Sequence, residues 1–267
     1  MNSRTQNSLM SVLVLLLSLV WISTVSTAHA SVGANPNEYT AKIVMQRFDK
    51  LKENLYEASQ VTGMDMGDLV AIASIESTLQ DNVKSKYSSA KGVFQYTNGT
   101  WGQDAGLYAK QLGLNNTNVY NPRTNILVGA TALSNLKQSL IEKSHLTETT
   151  LRVGDLYMSH LVGTNGALAV INSNSHTPIN KILTITKGNW SMYHKPNGQL
   201  RTAREFRQHM DYLVKRERQF YEKEVRRFQI AKNSAPYIDP KTHYGQEEHM
   251  AIAMANSSRY VGYDVNS

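Results

Sequence analysis

The chain has 267 residues, of which 41% are hydrophobic and 18% charged, enough apolar material for a core of ordinary size and too much for a solvated disordered chain. Cysteine is absent, which excludes a disulfide scaffold, thiolate metal sites and a lipid-modified cysteine anchor. The net charge of +7 points to an acidic partner.

At the N-terminus Arg4 is the only charge before an apolar run from Leu9 to Val25, and Ala28-His29-Ala30 follows it directly. Residues 1–30 therefore read as a secretory signal peptide with an A-x-A cleavage site, an uncleaved inner-membrane anchor being the alternative. An exported protein, periplasmic or held in the cell envelope, is the expectation. Its acidic partner is then an envelope polymer, a lipid surface or a companion protein before it is nucleic acid, which is not expected.

After a linker over 31–37, apolar residues recur at spacings of three and four, and a mainly α fold follows. A helix over Glu38–Gln60 places Ile43, Phe48, Leu51 and Leu55 on one side and stops at Thr62-Gly63, and a second runs over Met66–Leu79. From Gln80 to Thr100 the periodicity fails in favour of Ser, Lys, Asn and Gly, the signature of an ordered loop or small irregular sheet. Helical patterns resume at 104–113, 123–143, 147–162, 164–173 and 178–186, with Asn121-Pro122 starting the 123–143 helix and Thr147 able to cap the next. Composition shifts at 201. Residues 201–232 hold ten basic side chains against five acidic ones, and Phe206, Met210, Leu213, Phe220 and Phe228 fall on one helical face. This is a basic amphipathic helix expected to pack on the domain, its charges either a solvated face or a surface for an anionic polymer. The tail 233–267 reads as loosely ordered, with a short helix conceivable at Glu247–Met254. His243 and His249 match no metal-ligand spacing, so no metal is expected.

The informative stretch is Leu69-Val70-Ala71-Ile72-Ala73-Ser74-Ile75-Glu76-Ser77. Helical spacing puts Leu69, Ile72, Ala73 and Glu76 on one face, a carboxylate on an apolar stripe, where desolvation would raise its pKa and keep it protonated for proton donation. The plainer alternative is a helix-end glutamate reaching water. Downstream, Ala90-Lys91-Gly92-Val93-Phe94-Gln95-Tyr96 leads to Trp101. Gly92 permits a close turn, Gln95 offers a donor and an acceptor for sugar groups, and Tyr96 supplies a flat apolar face; Trp101 is assigned to the core.

Glu76-Ser77, then Gly92-Val93-Phe94-Gln95, then Ser159-His160-Leu161-Val162-Gly163 resemble, in order and spacing, the Glu-Ser, Gly-Leu-Met-Gln and Ala-Tyr-Asn-Ala-Gly motifs of the soluble lytic transglycosylase domain of the goose-type lysozyme superfamily. His160 and Leu161 depart from the commoner third motif. The resemblance implies a lysozyme-like helical domain over 38–200, a peptidoglycan glycan strand as substrate, and no cofactor. It also implies Glu76 as the catalytic residue, with Ser77, Gly92, Val93, Phe94, Gln95, Tyr96 and His160 positioning the carboxyl or holding the glycan. His160 either lines the cleft or is a buried histidine satisfied by backbone. A late cleft tyrosine of the family falls at Tyr157, Tyr193 or Tyr212.

Glycosidases that hydrolyse with two carboxylates need a second acid, and none lies between Asp81 and Asp104. By resemblance Glu76 serves as acid and then base, protonating the oxygen between N-acetylmuramic acid and N-acetylglucosamine and closing a 1,6-anhydro ring. A role in opening the wall for a secretion or conjugation apparatus is compatible with this. The alternatives are a hydrolase on the same fold, using Asp81 or Asp104, and a weakly active glycan-binding or assembly module.

Overall fold

The computed structural model describes residues 38–185 and 187–234. The leader, the linker up to Asn37, and the tail beyond Ser234 with its Glu247–Met254 segment lie outside the described residues. The described residues are mainly helical, in the order α1 (Glu38–Thr62), α2 (Met66–Ser77), α3 (Asn98–Tyr108), α4 (Pro122–Lys143), α5 (Val153–Asn172), α6 (Trp190–Tyr193) and α7 (Ala203–Asn233), with 3₁₀ turns at Ile179–Lys181 and Lys187–Asn189.

α1 buries Val44, Phe48, Leu51, Leu55 and Ala58, a stripe with alternating steps of four and three. Val44, one residue on from the expected Ile43, continues that stripe. The helix ends where Gly63 takes φ +69°, a left-handed conformation that costs glycine nothing and stops the helix.

α2 lies at the centre. Ten of its twelve residues are buried, and the two that are not are its carboxylates, Asp68 near the start and Glu76 near the end. A helix apolar all round must be enclosed on all sides, so the expected one-sided stripe gives way to a core helix that reaches solvent through its acids. α7 and α1 pack against it. Asp65 caps the start by accepting from the Asp68 amide at 3.1 Å.

Residues 80–97 form no strand; isolated antiparallel bridges join Lys84 to Lys91 and Lys91 to Tyr96. α3 begins at Asn98, six residues before the expected start, because Thr97 is an N-cap. α4 begins at Pro122 with Asn121 accepting from the Thr124 amide at 3.0 Å, as its sequence signals required. The next helix starts at Val153. Thr147 instead closes a turn with Thr150, and Asp155 caps α5 by accepting from the Arg152 amide at 3.0 Å. Gly163, with φ 76° and ψ 160°, breaks α5 into two runs, the division expected between 162 and 164. Of the 178–186 helix the described residues form the turn at Ile179–Lys181 alone.

α7 is integral to the core. Phe206, Met210, Val214 and Tyr221 are buried against α2 and α5, its principal neighbours. α5 and α7 approach so closely at Gly154 that a Cβ there would lie 2.3 Å from the Asp211 backbone nitrogen. Two polar contacts lock α7 in place. Arg207 makes a bidentate pair with Asp155, which is 1% exposed, at 2.6 and 2.8 Å. Glu217, 2% exposed, accepts from Ser74 of α2 at 2.8 Å and pairs with Arg216. Breaking a buried charge pair by removing one partner costs about 3–5 kcal/mol, so each contact disfavours every arrangement without it.

Candidate active site

Glu76 projects from the last turn of α2, whose end is tightly fixed. Thr78 and Leu79 both adopt positive φ, 54° and 58°, a conformation that costs about 1–2 kcal/mol for a residue with a Cβ. Burial of Leu79 and the bond from Arg47 to the Thr78 carbonyl at 3.1 Å hold them there. Ser77 is buried. Its hydroxyl donates to the Ala73 carbonyl at 3.0 Å and accepts from the Gln80 amide at 3.1 Å, so it secures the helix end on which Glu76 stands.

The Glu76 carboxylate is half-buried and accepts a hydrogen bond from Tyr157 of α5. Tyr157 is fully buried, and burial first, then the Glu76 charge, pushes its phenol well above the usual range. It is therefore a permanent neutral donor, fixed in the core and aimed at the carboxylate. Of the three tyrosines considered from sequence, Tyr157 makes this contact. Tyr193 is buried and stacks on Phe206 at 5.3 Å, and Tyr212 is exposed on α7.

The loop Gly92–Gln95 is closed by paired backbone bonds between Lys91 and Tyr96, both 3.0 Å. Gly92 is required twice over, by its φ of +73° and because a Cβ would meet Asn125 Nδ2 at 2.5 Å and the Val119 carbonyl at 2.6 Å. Asn125 is wholly buried; it accepts from the Phe94 amide and donates to the Val119 carbonyl, both at 2.9 Å. Val93 and Phe94 are buried, the Phe94 ring against Gly129 of α4. Phe94 offers a ligand no free backbone group, since Asn125 occupies its amide and His160 its carbonyl. Gly92, Val93 and Phe94 thus build the loop that presents Gln95. Gln95 has φ 47°; its amide nitrogen donates to the Gly92 carbonyl at 2.9 Å, and among the described residues its Oε1 accepts no hydrogen bond.

His160 lies one turn beyond Tyr157 and is half-buried. Its Nε2 lies 3.0 Å from the Phe94 carbonyl. A carbonyl only accepts, so Nε2 carries a proton. Backbone thus satisfies one nitrogen, and the ring remains partly open. The Tyr96 ring packs edge-on to His160 at 6.0 Å and to Trp101 at 5.2 Å. Trp101 spends its indole N–H on the Thr117 carbonyl at 3.0 Å, the behaviour of a structural residue. Tyr96 Oη is buried without a hydrogen bond of normal geometry.

The two spare acids separate. Asp81 is paired with Lys50 of α1 at 2.6 Å. Asp104, brought in by α3, lies within electrostatic reach of both Tyr96 and His160; burial holds its pKa above the ordinary carboxylate value against the lowering pull of the Tyr96 hydroxyl and His160. Nothing in the sequence marked it beyond its being the first acid after the glutamine loop.

Among the described residues Glu76, Gln95 and His160 are half-buried polar side chains of this region, Glu76 in contact with Tyr157 and His160 with the Phe94 carbonyl. A half-buried carboxyl steadied by one buried donor suits proton transfer, and an amide with a free acceptor suits a hydroxyl or acetamido group. Residues 53–175 match the family model described as the Transglycosylase SLT domain. That segment of the chain is similar to the transglycosylase SLT domain family, whose members are lytic transglycosylases that act on peptidoglycan. Among the described residues no helix is long and apolar enough to cross a membrane.

Proposed function

We propose that the protein is an exported lytic transglycosylase that cleaves the β-1,4 bond between N-acetylmuramic acid and N-acetylglucosamine, with Glu76 as its only proton-transfer residue. The observation that carries this is the placement of Glu76, half-buried at a rigid helix end, hydrogen-bonded by Tyr157 and without a second acid in the facing loop. The protonated carboxyl gives its proton to the glycosidic oxygen as the C1–O bond breaks, and the acetamido group of the muramic residue stabilises the cationic carbon. The resulting Glu76 carboxylate takes the proton of the muramic 6-hydroxyl, whose oxygen closes on C1. The product is a 1,6-anhydro ring, the carboxyl is regenerated, and no water is consumed.

Tyr157 holds Glu76 in one orientation through both steps. Gln95 and His160 line the path of the strand, while Gly92, Val93, Phe94 and Tyr96 fix the loop and Ser77 fixes the helix end. In this reading residues 38–200 are the catalytic unit, 1–30 the export leader, and the enzyme opens the wall locally, a task compatible with serving a secretion or conjugation apparatus.

The test is mass spectrometry of fragments released from purified peptidoglycan by the protein and by Glu76→Gln. Anhydromuramic ends that vanish in the variant support the proposal. Reducing ends would refute it in favour of hydrolysis, for which Asp104 is the acid to substitute next. No products from a folded protein would favour a glycan-binding module.

A further inference from the structure

A cavity of about 360 Å³ lies between α5 and α7, lined among others by Arg152, Arg204, Arg207, Gln208, Ser173 and Ser175. Glu76, Gln95 and His160 are not among its lining residues. It exists because α5 is broken. In a straight helix of this length Arg152 and Ser173 would be roughly 30 Å apart, whereas the conformation of Gly163 turns the second run back so that both line one space.

The three guanidinium groups are not equivalent. Arg207 is neutralised by its bidentate pair with Asp155, whose carboxylate is also engaged with the Arg152 amide. Arg152 and Arg204 have no carboxylate partner among the described residues, and Arg204 is held by a bond to Ser175 Oγ at 3.1 Å. The hydroxyls are spent locally, Ser173 on the Val170 carbonyl and Ser175 between Arg204 and His176 Nδ1. What the exposed rim of the cavity presents is an excess of donors: two guanidinium groups without a carboxylate partner and the Gln208 amide. Two like charges sharing one space repel, and an anion between them removes the repulsion. A single carboxylate is satisfied by one guanidinium, while a group with three or four acceptor oxygens and up to two charges uses both arginines and Gln208.

We propose that this cavity is a phosphate-binding site, taking the phosphate of a lipid headgroup, of an anionic envelope polymer or of a soluble ester. The site is independent of the glycan cleft, and its test reads binding instead of turnover.

The experiment is titration of the folded protein with inorganic phosphate at low ionic strength, followed by calorimetry and by the arginine and backbone resonances in NMR. Saturable binding is expected, with shifts at Arg152, Arg204 and Gln208. The double variant Arg152→Gln/Arg204→Gln should bind at least tenfold more weakly, while Arg226→Gln/Arg227→Gln, which removes the same charge elsewhere on α7, should bind like the parent. Arg207 is left in place, so Asp155 keeps its partner and the variant folds. Absence of saturation, or equal weakening in both variants, overturns the proposal. Glycerol phosphate and vesicles of phosphatidylglycerol or phosphatidylcholine then separate the sources. Arg152- and Arg204-dependent retention on the anionic vesicles alone identifies a headgroup, and binding of glycerol phosphate without retention identifies a polymer or soluble ester.

Discussion

Replacing Tyr157 by Phe removes one atom, the hydroxyl that donates to Glu76. A hydrogen bond to a charged group is worth about 1.5–3 kcal/mol. Because Glu76 is half-buried, water can replace part of that, and the lower end of the range applies. About 1.4 kcal/mol is a tenfold rate, so kcat for release of anhydromuramic fragments should fall roughly tenfold. Tyr157 is 1% exposed and cannot touch the strand, so KM should hold within about twofold, the split expected of a group that orients the acid without binding substrate. The ring stays packed, so the folding cost should be no more than about 1 kcal/mol, or 2–4 °C in Tm for a domain of this size. The assay is initial-rate quantitation of anhydromuropeptides over a range of peptidoglycan concentrations, with a melting curve of each variant. A kcat within twofold of the parent in a folded Tyr157→Phe protein would refute the positioning role, and a change confined to KM would put Tyr157 on the substrate.

Gly154→Ala drives a Cβ to 2.3–2.4 Å from the Asp211 backbone, which no side-chain motion can relieve; overpacking of this kind costs about 3 kcal/mol, and Tm should drop by roughly 6–12 °C. Gly106→Ala in α3, where a Cβ meets nothing within 4 Å, should instead stabilise by about 0.5–1 kcal/mol, and the two melts together test the α5–α7 crossing. His209 has its pKa lowered to about 4 by burial first and then by Arg201 and Arg216; its stabilising contribution is whole above the unfolded value of about 6.5 and is lost as pH falls from there toward 4. Discounted for the half-exposed ring, the loss is about 2 kcal/mol, so the drop in Tm between pH 7 and pH 4 should be smaller in His209→Gln than in the parent; equal drops would count against it. Tyr96, Tyr157 and Tyr221 have phenols raised by burial, so stability intact below pH 10 should fall above it by up to about 1.4 kcal/mol per pH unit for each. Tyr96→Phe, whose lost hydroxyl has no normal hydrogen bond, should cost under about 1 kcal/mol at pH 7 and flatten the alkaline fall.

Where local rules decide the structure, the sequence was readable. Asn121-Pro122, Thr62-Gly63 and Gly163 each act locally, Asn121 by a side-chain cap and the others through their own backbone, and each bounds a helix where its chemistry says it should. Polar residues that serve as caps were harder, because Thr97 and Thr147 look alike in sequence: the first begins α3 inside a segment that reads as loop, and the second closes a turn. The site divides in the same way. Glu76 and Gln95 stand out through their immediate neighbours, whereas the Tyr157 bond to Glu76 and the approach of Asp104 to Tyr96 and His160 depend on how α5 and α3 pack. Residues that form a family motif need not face a ligand: Gly92, Val93 and Phe94 are buried beneath the half-buried Gln95.

The charge shift at residue 201 is a change of surface and not of core. α7 completes the enclosure of α2, the helix that carries Glu76 in its last turn, and it does so in part with buried charged groups. Without α7, Asp155 at the start of α5 loses Arg207, and Ser74 on α2 loses Glu217 and Tyr221. Both losses strike the two helices whose relative position sets the contact between Tyr157 and Glu76. The segment that matches the family model ends at 175, yet the geometry of its acid is maintained by a helix that begins at 203. The outward face of that helix is correspondingly free to carry arginine and lysine, since the inward face already secures its place through Phe206, Met210, Val214 and Tyr221. A basic outer face and the enclosure of α2 are thus two faces of one element, and a ligand held at Arg152 and Arg204 would rest directly on the supports of α2.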